Sequence, residues 1–181
     1  LQPTELNPEM ASLDCGTMNF GGDEIFVNTE NMIIEFAARM RERGIKPELE
    51  CFDKSHIDMA MRLVRQGHID RPLHFNLVLG VNGGAAATPR DLIFLRHSLP
   101  EDASFTVSAM GRHQLPLNVM AMAMGGHPRT GFEDNIQYAR GVNAKSNGEL
   151  VARLVRIAGE MNLEIATPDE ARDILQMPPR K

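Results

Sequence analysis

The stretch His127-Pro-Arg-Thr-Gly-Phe-Glu-Asp-Asn135 ends on two adjacent acids, with an arginine four residues before the first. Read as a strand, whose side chains alternate faces, it sets Arg129, Gly131 and Glu133 on one face and leaves Asp134 at the strand's exit. A parallel barrel presents catalytic groups in this way. The competing reading has Asp134 or Asn135 opening the next turn, with Arg129 neutralising the acids.

Outward from this stretch the chain repeats a short strand, a polar or glycine-containing loop and an amphipathic helix. Strands are expected over residues 10–14, 47–52, 73–81 and 104–110, in the run that carries Glu133, and in a short piece over 164–166. Helices are expected over 31–43, closed by Gly44, and over 56–66, 89–98, 117–124, 147–161 and 168–176. Residues 73–81 read as a nearly continuous apolar strand, as expected when both faces of a parallel sheet are buried. Thr88, Ser146 and Thr167 each precede an acid by three residues, and prolines follow two of them, so helices should start there. Met59, Met61, Met120, Met122 and Met124 fall within helices and read as core filling.

This alternation predicts an α/β fold with parallel strands. About five strand–helix units and a C-terminal helix are convincing, whereas a closed barrel needs eight strands and about 250 residues. The expectation is a TIM-type parallel barrel that is incomplete in this chain, with residues 1–181 forming one domain. The alternative is an open doubly wound sheet with Gly80-Val-Asn-Gly-Gly84 as its phosphate-binding turn. That loop lacks both GxGxxG and GKS/T, so its phosphate signal is weak.

A formal charge of −5 and the lack of a long apolar run argue against a basic nucleic-acid surface and a membrane span. Cys15 and Cys51 have no metal-ligand spacing and do not suggest a disulfide framework, so the chain reads as an intracellular, cytoplasmic protein. Leu1 begins it without methionine, signal pattern or cap, and the expectation is that the sequence starts part-way through something longer.

Six stretches, in order, resemble the β-keto acid cleavage enzymes, a family of metal-dependent barrels. They are Pro8-Glu-Met-Ala-Ser-Leu-Asp14, Pro47-Glu-Leu-Glu-Cys-Phe-Asp53, Leu79-Gly-Val-Asn-Gly-Gly84, Gly111-Arg-His-Gln114, Gly125-Gly-His-Pro-Arg-Thr-Gly-Phe-Glu-Asp-Asn135 and Ile165-Ala-Thr-Pro-Asp-Glu-Ala-Arg172. Family members carry a zinc-binding His-x-His pair in an N-terminal portion, and no His-x-His occurs here. The chain resembles the C-terminal two-thirds of such an enzyme. His127 shares parity with Glu133, but six residues of extended strand would set the two about 20 Å apart.

The resemblance implies zinc as cofactor, acetyl-CoA as co-substrate and a β-keto acid as substrate, exchanged for acetoacetate and a new acyl-CoA. It implies Glu133 as a zinc ligand, Asp134 as general base and Arg129 as the group that binds the substrate carboxylate and holds that base. An active-site acid is implied at Glu50; for Glu48 and Glu50 alike the other reading is a pair of rim acids neutralised by a lysine or arginine. Ser12 matches a substrate-holding hydroxyl, or else fills space. Asn82, Gly83 and Gly84 follow a strand at the catalytic face, where glycines allow close backbone approach to a ligand. Arg112, after another strand, suits a CoA nucleotide or pairs with an acid on a neighbouring loop. The family also implies a homo-oligomer, a tetramer. Two other readings stay open: a different metal-dependent carbon–carbon lyase or aldolase on the same barrel, and a truncated, inactive barrel subunit.

Overall fold

The structure, a computed structural model, describes residues 2–177. After a short 3-10 turn, Gln2–Leu6, come β1 (Met10–Asp14), β2 (Met18–Gly21), β3 (Glu24–Phe26), α1 (Glu30–Arg43), β4 (Lys46–Cys51) and α2 (Lys54–Arg65). There follow β5 (His74–Leu79), α3 (Pro89–His97), β6 (Ser104–Ala109), α4 (Gln114–Ala123) and β7 (His127–Pro128). The chain continues through β8 (Gln137–Ala139), β9 (Val142–Asn143), α5 (Asn147–Glu160) and α6 (Pro168–Ile174).

Five strands form one parallel sheet in the order β1-β4-β5-β6-β7. A doubly wound sheet reverses its strand order at a switch point. Here each strand of the sheet lies beside the next one in the chain, with a helix between the members of every pair, as in a segment of a TIM-type barrel. The sheet is open, ending at β1 and β7. The expected α/β fold and its incompleteness are therefore observed, and the doubly wound alternative is set aside.

Register brings residues of equal parity side by side: Ser12 opposite Glu48, Asp14 opposite Glu50, Glu50 opposite Asn76 and Asn76 opposite Thr106. The odd-numbered positions Leu13, Leu49, Cys51, Phe75, Leu77, Leu79, Phe105 and Val107 point into the apolar core against the helices. That face contains Ile33, Ala37 and Met40 of α1 and Ile57, Ala60 and Leu63 of α2, spaced to share one side of each helix. The even-numbered face is polar, and it carries the candidate site.

All three anticipated N-caps form: Thr88 and Ser146 accept from the backbone three residues on, and Thr167 makes a full capping box with Glu170. Gly44 closes α1 in the left-handed region. Cys15 and Cys51 are buried free thiols.

Four expectations are corrected. The segment after β7 is not a strand: Asp134 and Asn135 both donate backbone hydrogen bonds to the Gly131 carbonyl, a turn that carries Glu133 on its exterior. Proline at 128 and glycine at 131 weaken extended pairing there. The extended geometry that separated His127 from Glu133 is consequently absent. Residues 164–166 make no strand and lie exposed. Finally, β5 is not apolar on both faces, because His74 and Asn76 are buried polar residues on its even side. The antiparallel pairs β2–β3 and β8–β9 were not anticipated; both are short, and Gly21-Gly22 and Gly141 mark their turns.

Candidate active site

The polar face is organised around Arg129, which lies just beyond β7, where Asn118 of α4 holds its carbonyl at 2.7 Å. Its guanidinium meets three carboxylates from two segments. Nη1 lies 3.4 Å from Glu50, Nη2 2.8 Å from Glu133, and Nε 3.2 Å from Asp134 Oδ2. Nη2 also donates to Asp134 Oδ1 at 3.3 Å. The tight turn from Gly131 explains how one arginine reaches two adjacent acids, which alternate strand geometry would have sent to opposite faces. The structure brings Arg129, Glu133, Asp134 and Glu50 together, though not through the strand geometry expected of residues 127–135.

The three acids differ in environment. Glu133 is 83% exposed, Glu50 13% and Asp134 3% at the side chain. Burial raises the Asp134 pKa from its ordinary value, and Arg129 opposes that rise. Asp134 Oδ2 has no hydrogen-bond donor despite its proximity to Arg129. This buried oxygen therefore keeps unused acceptor capacity beside the guanidinium.

Glu50 stands between Asp14 on one neighbouring strand and Asn76 on the other. Burial first, then the neighbouring Asp14 charge, push its pKa up to about 8. Asp14 is likewise raised by burial and shares a hydrogen bond with Glu50. The pair thus retains a proton at neutral pH. On the other side Asn76 donates to Glu50 Oε1 at 3.0 Å, and the buried Ser108 hydroxyl donates to Asn76 Oδ1 at 2.9 Å. Asp14, Asn76 and Ser108 were not nominated from the sequence. Their signal was available: each is a polar residue at an even position in a strand whose odd positions are apolar.

Deeper along the same face, His74 is fixed by Ser104 at 2.8 Å and Thr106 at 3.0 Å, with Glu48 at 3.7 Å. Burial drives its pKa down to about 4, so its ring is neutral. His127 stacks at a tilt 6.1 Å away. Glu48 thus belongs to this inner layer, below the Arg129 group.

The remaining nominated residues are placed as follows. Ser12 is exposed on the edge strand opposite Glu48, and no hydrogen bond joins it to the cluster among the described residues. Asn82, Gly83 and Gly84 also make no hydrogen bond or ion pair with it among those residues. Gly83, at φ +81°, is pressed against the Asn19 carbonyl, and a Cβ at Gly84 would meet the Phe52 carbonyl at 2.8 Å, so packing against neighbouring backbone already requires both glycines. Arg112 is exposed and has no acidic partner among the described residues; its Nε faces His113 at 3.2 Å. The adjoining Gly111 amide donates to the Asp134 carbonyl at 2.8 Å, tying the loop after β6 to the turn that carries Asp134. Among the described residues, no group of three His, Cys, Asp or Glu is arranged to hold a metal ion. Glu133 is the exposed carboxylate that this chain would offer to one, and the remaining ligands are not formed by these residues. No helix among them is long and apolar enough to cross a membrane.

Known proteins similar to this chain share much of its sequence. The chain is 65% identical over 175 residues to the 3-keto-5-aminohexanoate cleavage enzyme of Acetoanaerobium sticklandii, a match covering 97% of this chain and 64% of that protein. It is 59% identical to the enzyme of the same name from Fusobacterium nucleatum, covering 98% and 64%. It is 34% identical to a 3-dehydrocarnitine:acetyl-CoA trimethylamine transferase of Rhizobium meliloti, covering 97% and 59%. The chain therefore spans under two-thirds of the length of these relatives. In fold it is similar to the apo structure of ObcA, with a TM-score of 0.79 at 19% identity over 95% of this chain and 45% of that one. The profile of the beta-keto acid cleavage enzymes matches residues 1–177. With the Arg129 constellation inside that span, the chain belongs to the beta-keto acid cleavage enzyme family.

Proposed function

We propose that this chain carries the base and the carboxylate-binding group of an enzyme that converts a β-keto acid and acetyl-CoA into acetoacetate and an acyl-CoA. The supporting observation is the Arg129 guanidinium shared by an exposed, a mostly buried and a fully buried acid, the last with an oxygen that no hydrogen bond among the described residues uses. In this reaction the bond between the keto carbon and the α-carbon of the β-keto acid breaks. The acetyl group of acetyl-CoA joins the released carboxymethyl carbon as acetoacetate, and the CoA sulfur takes the remaining acyl group.

Asp134 serves as the general base, because it is sequestered from water, aligned by Arg129 and has acceptor capacity at Oδ2 that no hydrogen bond uses among the described residues. Arg129 binds the substrate carboxylate. Its contact with the exposed Glu133 is the one a ligand displaces most easily, which frees Nη2 for a forked interaction that lysine does not reproduce. Glu50, protonated and held by Asn76, keeps the local charge from becoming strongly negative when an anionic substrate arrives. The family implies zinc, with Glu133 as the single ligand from these residues; a bound zinc would supply Lewis-acid polarisation of the ketone.

Acetyl-CoA-dependent formation of acetoacetate by the full-length protein, with 3-keto-5-aminohexanoate among the acids tried, tests the reading. Turnover that requires acetyl-CoA supports it. Cleavage of a keto acid without CoA would instead favour a metal-dependent lyase or aldolase on the same scaffold, and absence of turnover with every β-keto acid would refute it.

A further inference from the structure

Beside the Arg129 cluster lies a second cavity of about 550 Å³, between the loop after β6, the β8–β9 ribbon and α5. Arg112, Arg140 and Arg153 line it, and no Asp or Glu does. In a chain of net charge −5 this concentrates positive charge at one place. None of the three arginines forms an ion pair with a described residue. Arg153 stacks over the Tyr138 ring at 4.4 Å and donates to the Tyr138 carbonyl, which fixes its guanidinium at the wall with donors to spare. Among the described residues, Arg112 engages only His113, and the exposed Arg140 has no partner.

Two further features point to a ligand that is more than an anion. Asn118, fully buried and part of the same wall, donates to the Arg129 carbonyl while its Oδ1 has no hydrogen-bond partner. An unpaired buried acceptor calls for an N–H or O–H donor. The cavity also shares Gly111, Arg112 and Asn135 with the shallower cleft that contains Glu133 and Asp134. A ligand anchored among the arginines can therefore extend an arm along Asn118 towards the base.

We infer that this cavity takes the phosphorylated nucleotide end of the CoA thioester, with Arg112, Arg140 and Arg153 on its phosphates and Asn118 Oδ1 accepting from an amide N–H of the pantetheine arm. The inference rests on the CoA-dependent reading above and assigns that co-substrate a place. The arginines meet phosphate oxygens through charge-assisted hydrogen bonds. The amide arm would carry the acyl sulfur out of the cavity into the Asp134 cleft.

The test uses the full-length protein with 3′,5′-ADP, inorganic phosphate and acetyl-CoA as probes, in the parent and in Arg140→Glu and Arg153→Gln. Arg140 is exposed and unpartnered, so its replacement should leave folding intact; Arg153→Gln keeps a donor toward the Tyr138 carbonyl. Removing one phosphate contact should raise Kd for 3′,5′-ADP and KM for acetyl-CoA by about tenfold or more, while the affinity for the β-keto acid stays within about twofold. Unchanged 3′,5′-ADP affinity and acetyl-CoA KM in both variants would overturn the inference and leave the reaction standing. A parent that binds inorganic phosphate as tightly as 3′,5′-ADP would also overturn it, since the site would then recognise a bare anion. Arginine-dependent 3′,5′-ADP binding in a protein that turns over no β-keto acid would support the cavity's assignment to a phosphorylated nucleotide and sink the proposed reaction instead.

Discussion

Replacing Glu50 with glutamine should remove a pH-dependent weakness from the centre of the sheet. In the parent, burial and the Asp14 charge lift the Glu50 pKa from its ordinary 4.5 to about 8. An unfolded chain gives up this proton near pH 4.5, whereas the folded chain holds it to about pH 8. The native state is thus favoured fully below pH 4.5, and the advantage is lost as pH rises through that interval. At about 1.36 kcal/mol per pH unit the full interval is worth roughly 5 kcal/mol, an upper bound because Asp14 and Glu50 share the proton. Glutamine keeps the oxygen that accepts from Asn76 and Arg129, and its amide donates towards Asp14 as the protonated acid does. Urea unfolding followed by circular dichroism at pH 5, 7 and 9 should show the variant about equal to the parent at pH 5 and more stable by about 2–4 kcal/mol at pH 9. Equal pH slopes for the two proteins, or a variant that is the less stable one at pH 9, would refute the reasoning.

Other outcomes follow from the same geometry. Asp134→Asn keeps the size and the Arg129 contact but removes the base, so kcat should fall by about 10²–10⁴-fold with β-keto acid affinity retained, as read by single-turnover kinetics and binding titration. Arg129→Lys loses the fork and one anchor of Asp134, so kcat and substrate affinity should both drop; a change in KM alone would assign Arg129 to binding only. In the full-length protein, Glu133→Gln should strongly reduce zinc occupancy by elemental analysis, and unchanged occupancy would remove Glu133 from the ligand set. Gly83→Ala, at φ +81° and against the Asn19 carbonyl, should cost about 1–3 kcal/mol in urea unfolding, and a neutral result would return that loop to the role of a ligand-contacting segment.

Strand and helix positions were legible where one physical signal dominated. The capping threonines and serine fixed the starts of α3, α5 and α6, and apolar periodicity located α1 and α2. The reading failed where tertiary context prevailed. His127 to Glu133 has an alternating pattern, yet proline and glycine turn it aside after two paired residues, and the site's acids converge through a turn instead. His74 and Asn76 were lost inside an apolar-looking run because their partners, Ser104, Thr106, Ser108 and Glu50, lie 26 or more residues away. The acids Glu50, Glu133 and Asp134 and the arginine that gathers them were legible through the family resemblance. Asp14 was inside a quoted motif but had no nominated role, since only strand register sets it against Glu50.

The register of the sheet also separates two kinds of evolutionary freedom. Leu13, Leu49, Phe75 and Phe105 determine whether the helices have something to pack on, while Asp14, Glu50, Asn76 and Ser108, at even positions of the same strands, form the hydrogen-bonded polar face. A point substitution on the even positions alters charge and hydrogen bonding without removing an apolar contact from the odd ones. An inserted or deleted residue within β4 has the opposite character: it would send Leu49 into the polar layer and a glutamate into the core at one stroke. The polar face of this scaffold is thus open to change by substitution within strands, whereas changes of length are confined to the loops between them.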